Sequence, residues 1–99
     1  MVLNVASNLL KHYGQDKVDV EIVAFGPGLR LMFKDNANSA RIEGLTTSGV
    51  RFAACGNTLT KMTKALGRAP ELHSSAGIVP GGAVRIIDLQ NQGYKVLKP

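Results

Sequence analysis

The spacing of apolar residues along the chain changes several times, and each change marks the boundary of a predicted element. At the start, apolar side chains recur every three or four positions, which predicts an amphipathic helix that ends at Gly14. Its apolar positions are Val2, Ala6, Leu9, Leu10 and Tyr13. Residues 18–25 alternate and then become continuously apolar, which is typical of a strand with one end buried on both faces. That strand ends at the turn over residues 26–28.

Helical and strand-like segments continue to alternate over the rest of the chain. In order, they are a short helix over 29–33, a helix from Asn38 or Ser39 to about Thr47, a strand over 50–55, a helix through Leu59, Met62 and Leu66, a strand over 77–79, a helix over 83–91 and a strand over 94–97. This alternation predicts an α/β domain with a mainly parallel sheet.

Length and composition limit the class of protein. The 99 residues form one domain, 1–99, and 44% hydrophobic with 19% charged residues matches a compact soluble globule. The longest apolar runs are far shorter than the roughly twenty residues that a membrane-spanning helix needs, and the N-terminus lacks the pattern of an export signal. A single cysteine fits a reducing compartment. We therefore expect a cytoplasmic protein with no membrane partner.

The net charge of +5 favours anionic partners without identifying one. The basic residues are spread along the chain and are not interleaved with aromatic side chains, as a base-stacking surface requires. The aromatic residues are Tyr13, Phe25, Phe33, Phe52 and Tyr94. We therefore expect no nucleic-acid partner, and small anions and acidic proteins stay open.

Three predicted strands end in turns rich in glycine. If the strands are parallel, these turns meet at one edge of the sheet, where ligands of open α/β sheets bind. Backbone N–H groups at glycines, together with the following helix N-termini, would attract an anion there. The candidate binding residues are Gly26, Gly28, Gly56, Asn57, Thr58, Gly81 and Gly82. The simpler interpretation is that these glycines only form tight turns, and none of the turns matches a phosphate loop or a dinucleotide fingerprint in full.

Cys55 is the candidate catalytic residue because it lies where the second strand meets a helix. A helix N-terminus, with Asn57 or Thr58 as its cap, would stabilise the reactive thiolate. The alternative is a small apolar residue packed in the core. Three basic residues, Lys61, Lys64 and Arg68, follow along that helix. They would favour an anionic sulfur species or an acidic partner, or they form an ordinary solvated face.

Histidine offers fewer candidates. His73 lies in a loop and would act as a proton shuttle if it reached Cys55, whereas His12 is predicted to lie on the surface of the first helix. One cysteine and two distant histidines give no spacing typical of metal ligands. We therefore expect no metal ion.

Several of these segments together resemble one protein family. They are Val20–Gly28, Gly49–Leu59, Val79–Gly82, Leu89–Tyr94 and the ending Lys98-Pro99. The combination resembles the DsrE/DsrF-like family over nearly the whole chain. The resemblance implies a flavodoxin-like, three-layer α/β/α domain with a sheet of four to five strands. It also implies assembly into homo-oligomers, often trimers or hexamers.

In some members of that family, a cysteine at the end of the corresponding strand carries a persulfide and passes its sulfur to a partner protein. The matching residue here is Cys55. The resemblance also indicates one departure, because family members begin with a strand ahead of the first helix and this chain begins in that helix. A missing first strand would leave a gap near the middle of the sheet. We expect either that the natural start lies upstream or that oligomerisation covers the exposed surface.

Three functional hypotheses remain. The first is a sulfur carrier or sulfurtransferase in which Cys55 forms a persulfide and exchanges sulfur with a donor or acceptor protein. A sulfur carrier that uses Cys55 would need no organic cofactor either. The second is a non-catalytic oligomeric subunit that recognises an acidic partner or a small anion, with Cys55 as a core residue. The third is a nucleotide or flavin binder of the flavodoxin class, which the fold alone does not establish.

Overall fold

The computed structural model describes residues 1–99 and contains four α-helices, one 3-10 helix and three strands. The α-helices are α1 (Val2–Tyr13), α2 (Ser39–Thr47), α3 (Gly56–Leu66) and α4 (Gly82–Asn91). The strands are β1 (Glu21–Ala24), β2 (Arg51–Cys55) and β3 (Ala76–Val79), and the 3-10 helix spans Gly26–Met32. None of the helices combines the length and apolar character needed to cross a membrane.

The three strands form one parallel sheet in the order β1-β2-β3. The prediction of an α/β domain with a parallel sheet is therefore confirmed, but a sheet of four to five strands is wrong. Ile22 lies opposite Phe52, and Phe52 lies opposite Ala76 on its other side. No gap opens in the middle of the sheet, because β1 pairs directly with β2.

The predicted last strand, residues 94–97, is the clearest error at the level of elements. These residues pair with no strand, and Val96 and Leu97 are exposed. Tyr94 instead donates a hydrogen bond to Asp19 and accepts one from Arg51 at 2.7 Å. A short apolar segment becomes a strand only where a neighbouring strand pairs with it. Neither of the two edge strands, β1 and β3, pairs with residues 94–97.

One face of the sheet carries the main hydrophobic core. Ile22, Ala24, Phe52 and Ala54 alternate along β1 and β2, so their side chains point to the same face. The helices that pack against them contribute Leu3, Ala6, Leu29, Met32, Ile42 and Leu45. α1, α2 and the 3-10 helix therefore lie on this face, together with Leu59 and Met62 of α3.

α4 covers the opposite face, which gives the fold its third layer. Arg85 of α4 bonds to Glu21 at the start of β1, and Gly82 bonds to Cys55 at the end of β2. α4 therefore runs back along the sheet, with its N-terminus at the carboxyl edge of the strands. This arrangement is consistent with a flavodoxin-like fold.

The amino edge of the sheet is held by a buried carboxylate. The Glu21 side chain is 4% exposed and accepts hydrogen bonds from Arg85 at 2.7 and 2.8 Å and from Arg51 at 3.1 Å. The Arg85 hydrogen bond is the largest influence on the pKa of Glu21, which is lowered, and it acts with Arg51 against the effect of burial. One side chain thus ties β1 to β2 and to α4.

Candidate functional site around Cys55

Cys55 occupies the junction predicted for it, at the last position of β2. Its backbone is extended, with φ −70° and ψ 115°, and α3 begins at the next residue. Cys55 itself is therefore the N-cap of α3, and the prediction that Asn57 or Thr58 caps this helix is wrong. Gly56 without a Cβ lets the turn begin immediately, because a Cβ there would lie 3.0 Å from the Val79 carbonyl oxygen.

The Cys55 sulfur also lies at the N-terminus of a second helix. The backbone N–H of Gly82, the first residue of α4, donates to Sγ at 3.3 Å. Cys55 is buried, with only 5% of the residue exposed. Both α3 and α4 therefore direct the positive ends of their dipoles towards one buried sulfur atom.

The hydroxyl of Thr58 also acts on this thiol and lowers its pKa. Thr58 Oγ1 accepts a hydrogen bond from the backbone N–H of Gly26 at 3.0 Å, which leaves its own hydrogen available to another acceptor. The turn after β1 is thereby linked to the thiol at the end of β2.

These contacts decide the ionisation of the thiol. Burial alone raises the pKa of Cys55, and it is the largest single effect. The Thr58 hydroxyl and the backbone N–H groups of Thr58, Gly82 and Asn57 together outweigh it, so the pKa of Cys55 is lowered from its ordinary value. The site thus favours the thiolate, which is the nucleophilic form.

The glycine turns differ in how closely they approach this site. A Cβ on Gly82 would lie 2.9 Å from Phe25 Cδ1, so only glycine fits beneath that ring. A Cβ on Gly81 would meet Asn57 Nδ2 at 3.4 Å, which is ordinary contact. Gly26 has a φ of +58°, which favours glycine. A Cβ on Gly28 would have no neighbour within 4 Å.

The structure thus brings together Gly26, Cys55, Gly56, Asn57, Thr58, Gly81 and Gly82, whereas none of these interactions involves Gly28. A role for them in binding stays a prediction. Sequence reasoning missed Phe25, whose ring lies against Gly82. Its position at the end of an apolar run indicates only the last residue of a strand. No sequence signal shows that its ring packs against the turn before α4.

His73 lies at the opposite edge of the sheet from Cys55. It precedes Ala76 at the start of β3, whereas Cys55 is aligned with Val79 at the end of that strand. Its Nδ1 accepts the Ser75 N–H at 3.1 Å, and its Nε2 lies 3.8 Å from a carboxylate oxygen of Glu43. A proton shuttle from His73 to Cys55 is therefore not possible in this fold.

The remaining candidate features lie apart from the thiol. His12 is exposed on α1 and packs edge-on against Tyr13. No group of three His, Cys, Asp or Glu side chains is placed to hold a metal ion. Two surface depressions lie elsewhere, one between α1 and α2 and one beside His73.

Comparison with known proteins places the chain in a family. The model of the DsrE/DsrF-like family matches residues 3–99, and the chain therefore belongs to that family. A solved structure, that of the protein of unknown function MTH1491 from Methanobacterium thermoautotrophicum, is 31% identical in sequence with a TM-score of 0.80. The match covers 99% of this chain and 86% of MTH1491. No curated protein matches this chain.

Proposed function

We propose that the protein is a sulfur carrier that holds a sulfane sulfur as a persulfide on Cys55. The observation that carries this proposal is the position of the thiol at two helix N-termini, where the Gly82 N–H donates to Sγ and Thr58 lowers the pKa. Family membership is compatible with a sulfur-relay role. A thiol of lowered pKa serves both steps of a relay, because it attacks as a thiolate and leaves as one.

The two steps balance without an external oxidant. In loading, the Cys55 thiolate attacks the outer sulfur of thiosulfate or of a donor persulfide, a new S–S bond forms, and sulfite or the donor thiolate leaves. In unloading, an acceptor thiolate attacks the outer sulfur on Cys55, the S–S bond to Cys55 breaks, and the Cys55 thiolate is released. The helix N-termini and donor groups stabilise the negative charge on Cys55 before the first step and after the second.

Burial of Cys55 supports a second candidate, an assembly subunit in which the thiol is only a packed core residue. At 5% exposure, Cys55 resembles ordinary buried cysteines. The two candidates differ in the reactivity of the folded protein. In the sulfur carrier the native thiol reacts with a small thiol reagent, whereas in the assembly subunit it reacts only after unfolding.

The direct test is to incubate the protein with thiosulfate or inorganic polysulfide and to measure its intact mass. We expect a gain of one sulfur atom that dithiothreitol removes, and no gain in Cys55→Ser. Since Cys55 is the only cysteine, every such adduct reports on this position. If no donor adds sulfur while the folded protein still reacts with a small thiol reagent, the sulfur-carrier function is wrong.

A further inference from the structure

The exposed surface of α3 carries positive charge that the protein itself does not neutralise. Lys61 and Lys64 are exposed on the helix and Arg68 is exposed just beyond it, and none of the three forms an ion pair. Arg51 and Arg85, by contrast, both bind the Glu21 carboxylate. The positive charge of this surface is therefore available to an external partner.

The segment around α3 also lacks acidic residues. No Asp or Glu occurs between positions 44 and 70, a stretch that contains all of β2 and α3. The position of Lys64 has a local explanation, because it lies in the last turn of α3 and interacts favourably with the negative end of the helix dipole. Lys61 lies in the middle of α3 and has no such role.

The two lysines of α3 lie in a row along the helix that leads towards the thiol. Asn57, Lys61 and Lys64 are separated by four and three positions, so they share one stripe of the helix surface. At 1.5 Å of rise per residue, Lys61 and Lys64 lie about 9 and about 14 Å along the axis from Cys55. Asn57 Nδ2 lies 3.4 Å from where a Cβ on Gly81 would be, so the stripe begins beside the turn that holds the sulfur.

We propose that the basic stripe formed by Asn57, Lys61 and Lys64 docks the sulfur acceptor, a protein with acidic side chains around its acceptor thiol. This inference rests on the proposed sulfur-carrier function and names the class of its partner. When the acidic surface of the acceptor binds along α3, the acceptor thiol lies at the Cys55 end of the helix. Charge complementarity then raises the encounter rate and fixes the orientation in which the outer sulfur is attacked.

A protein fits this surface better than a nucleic acid does. The stripe contains no aromatic side chain on which a base would stack. Sulfur transfer also needs an acceptor nucleophile held close to Cys55, and a cysteine thiolate supplies it without an activation step. The reaction leaves the acceptor with a persulfide and returns Cys55 to the thiolate.

The test uses synthetic peptides that carry one cysteine flanked by Glu, by Gln or by Lys. Full-length protein is loaded with polysulfide, desalted and mixed with each peptide, and persulfide transfer to the peptide is followed by mass spectrometry. We expect the Glu peptide to react about tenfold faster than the Gln peptide in low salt and the Lys peptide to react slowest. The difference should shrink at high salt, because counterions screen exposed charges.

Charge-reversal variants locate the effect. Lys61→Glu/Lys64→Glu should remove the preference for the Glu peptide, and Lys61→Glu alone should reduce it. The matched control, Lys95→Glu/Lys98→Glu, makes the same change of charge in the tail that Tyr94 anchors at the opposite edge of the sheet. It should keep the preference. Circular dichroism confirms that every variant is folded.

Failure of this inference can be separated from failure of the proposed function. Equal transfer to the Glu and Gln peptides would overturn the docking surface while leaving the sulfur carrier intact. The docking surface would also be wrong if the control abolished the preference as fully as the α3 variant does. A competition experiment gives a third test, in which fluorescence anisotropy follows the binding of a labelled, cysteine-free Glu peptide. The docking surface would be wrong if an oligonucleotide displaced this peptide at a lower concentration of negative charge than poly-glutamate does. Absence of any loaded sulfur would instead remove the proposed function.

Discussion

The hydroxyl of Thr58 is the side-chain group that most directly controls the candidate nucleophile. Among the influences that lower the pKa of Cys55, its hydrogen bond is the largest. Hydrogen bonds to charged groups contribute about 1.5–3 kcal/mol, and about 1.4 kcal/mol corresponds to one pKa unit. The reactivity of the thiol at neutral pH should therefore depend on this one hydroxyl.

Thr58→Val should raise the pKa of Cys55 and slow its alkylation by iodoacetamide at pH 7 about tenfold. The rate is measured from pH 5 to 10, and Thr58→Ser should retain the wild-type midpoint. Thr60→Val is the matched control, because the Thr60 hydroxyl donates to the Gly56 carbonyl at 3.0 Å and not to sulfur. An unchanged midpoint in Thr58→Val would show that this hydroxyl does not set the pKa.

The same ionisation contributes to stability with a defined sign. Because folding lowers the pKa of Cys55, its contribution is complete above the unfolded value of about 8.5 and is lost as pH falls through the folded value. A mildly alkaline pH therefore favours both the thiolate and the folded site.

At the scale of elements, Glu21 is the point where β1, β2 and α4 meet. Its carboxylate is nearly fully buried and is shared by Arg51 and Arg85. Because the arginines reach solvent, we expect Glu21→Gln to destabilise the protein by about 1–2 kcal/mol at pH 7. Urea unfolding measures this difference in the free energy of unfolding. The control is Asp16→Asn, which removes an exposed acid that forms no ion pair and should destabilise the protein by less than about 0.5 kcal/mol.

The cost of Glu21→Gln should also depend on pH. Folding lowers the pKa of Glu21, so its contribution is complete above the unfolded value of about 4.3 and disappears as pH falls through the folded value. The gap between wild type and Glu21→Gln should therefore narrow below about pH 4. A gap that stays constant down to about pH 3 would mean that the charge of Glu21 is not what stabilises the fold.

Some elements of the fold depend only on local sequence, and others do not. α1 could be predicted because the apolar spacing of its residues and Gly14 depend only on local sequence. β1 is shorter than predicted, because its pairing with β2 starts only at Glu21 opposite Arg51, although the Val20 carbonyl accepts the Arg51 N–H at 3.0 Å. Residues 94–97 fail because no strand pairs with them. Strand formation depends on a neighbour that the local sequence does not contain.

The candidate site could be predicted in part, by the same reasoning. Parallel strands place their carboxyl ends together, so the meeting of the turns at Gly26, Cys55 and Gly82 follows once the strands are identified. The hydrogen bonds of Gly82 and Thr58 to sulfur depend on how α4 docks and on a side-chain rotamer. Neither leaves a periodic signal in the sequence. For the same reason, the sequence alone does not show that His73 and Cys55 lie at opposite edges of the sheet.

At the scale of the whole molecule, the single chain buries few of its residues. Only 17 of the 99 residues are buried. α4 turns apolar side chains outward, since Val84 is 61% exposed and Ile87 is 57% exposed, and Ile78 on the edge strand β3 is 63% exposed. Exposed apolar surface of this kind marks an interface. It supports the proposal that the protein assembles into a homo-oligomer.

We expect a trimer or hexamer, with three or six times the 10.5 kDa mass of the chain, in sedimentation velocity. Val84→Glu/Ile87→Glu should shift the protein towards monomer, because charges buried in an interface without partners are strongly unfavourable. Lys11→Glu/Lys17→Glu changes charge on a separate, polar part of the surface and should leave the assembly unchanged. A wild-type monomer at micromolar concentration would contradict this proposal.

The hydrogen bond from Gly82 to Cys55 also has a consequence for how the protein is made. The two residues are 27 positions apart, and α4 is the last element of the chain. A growing chain therefore lacks this hydrogen bond until α4 has been synthesised and has docked. The full stabilisation of the thiolate belongs to the completed fold, and a fluctuation that releases α4 removes the contribution of Gly82.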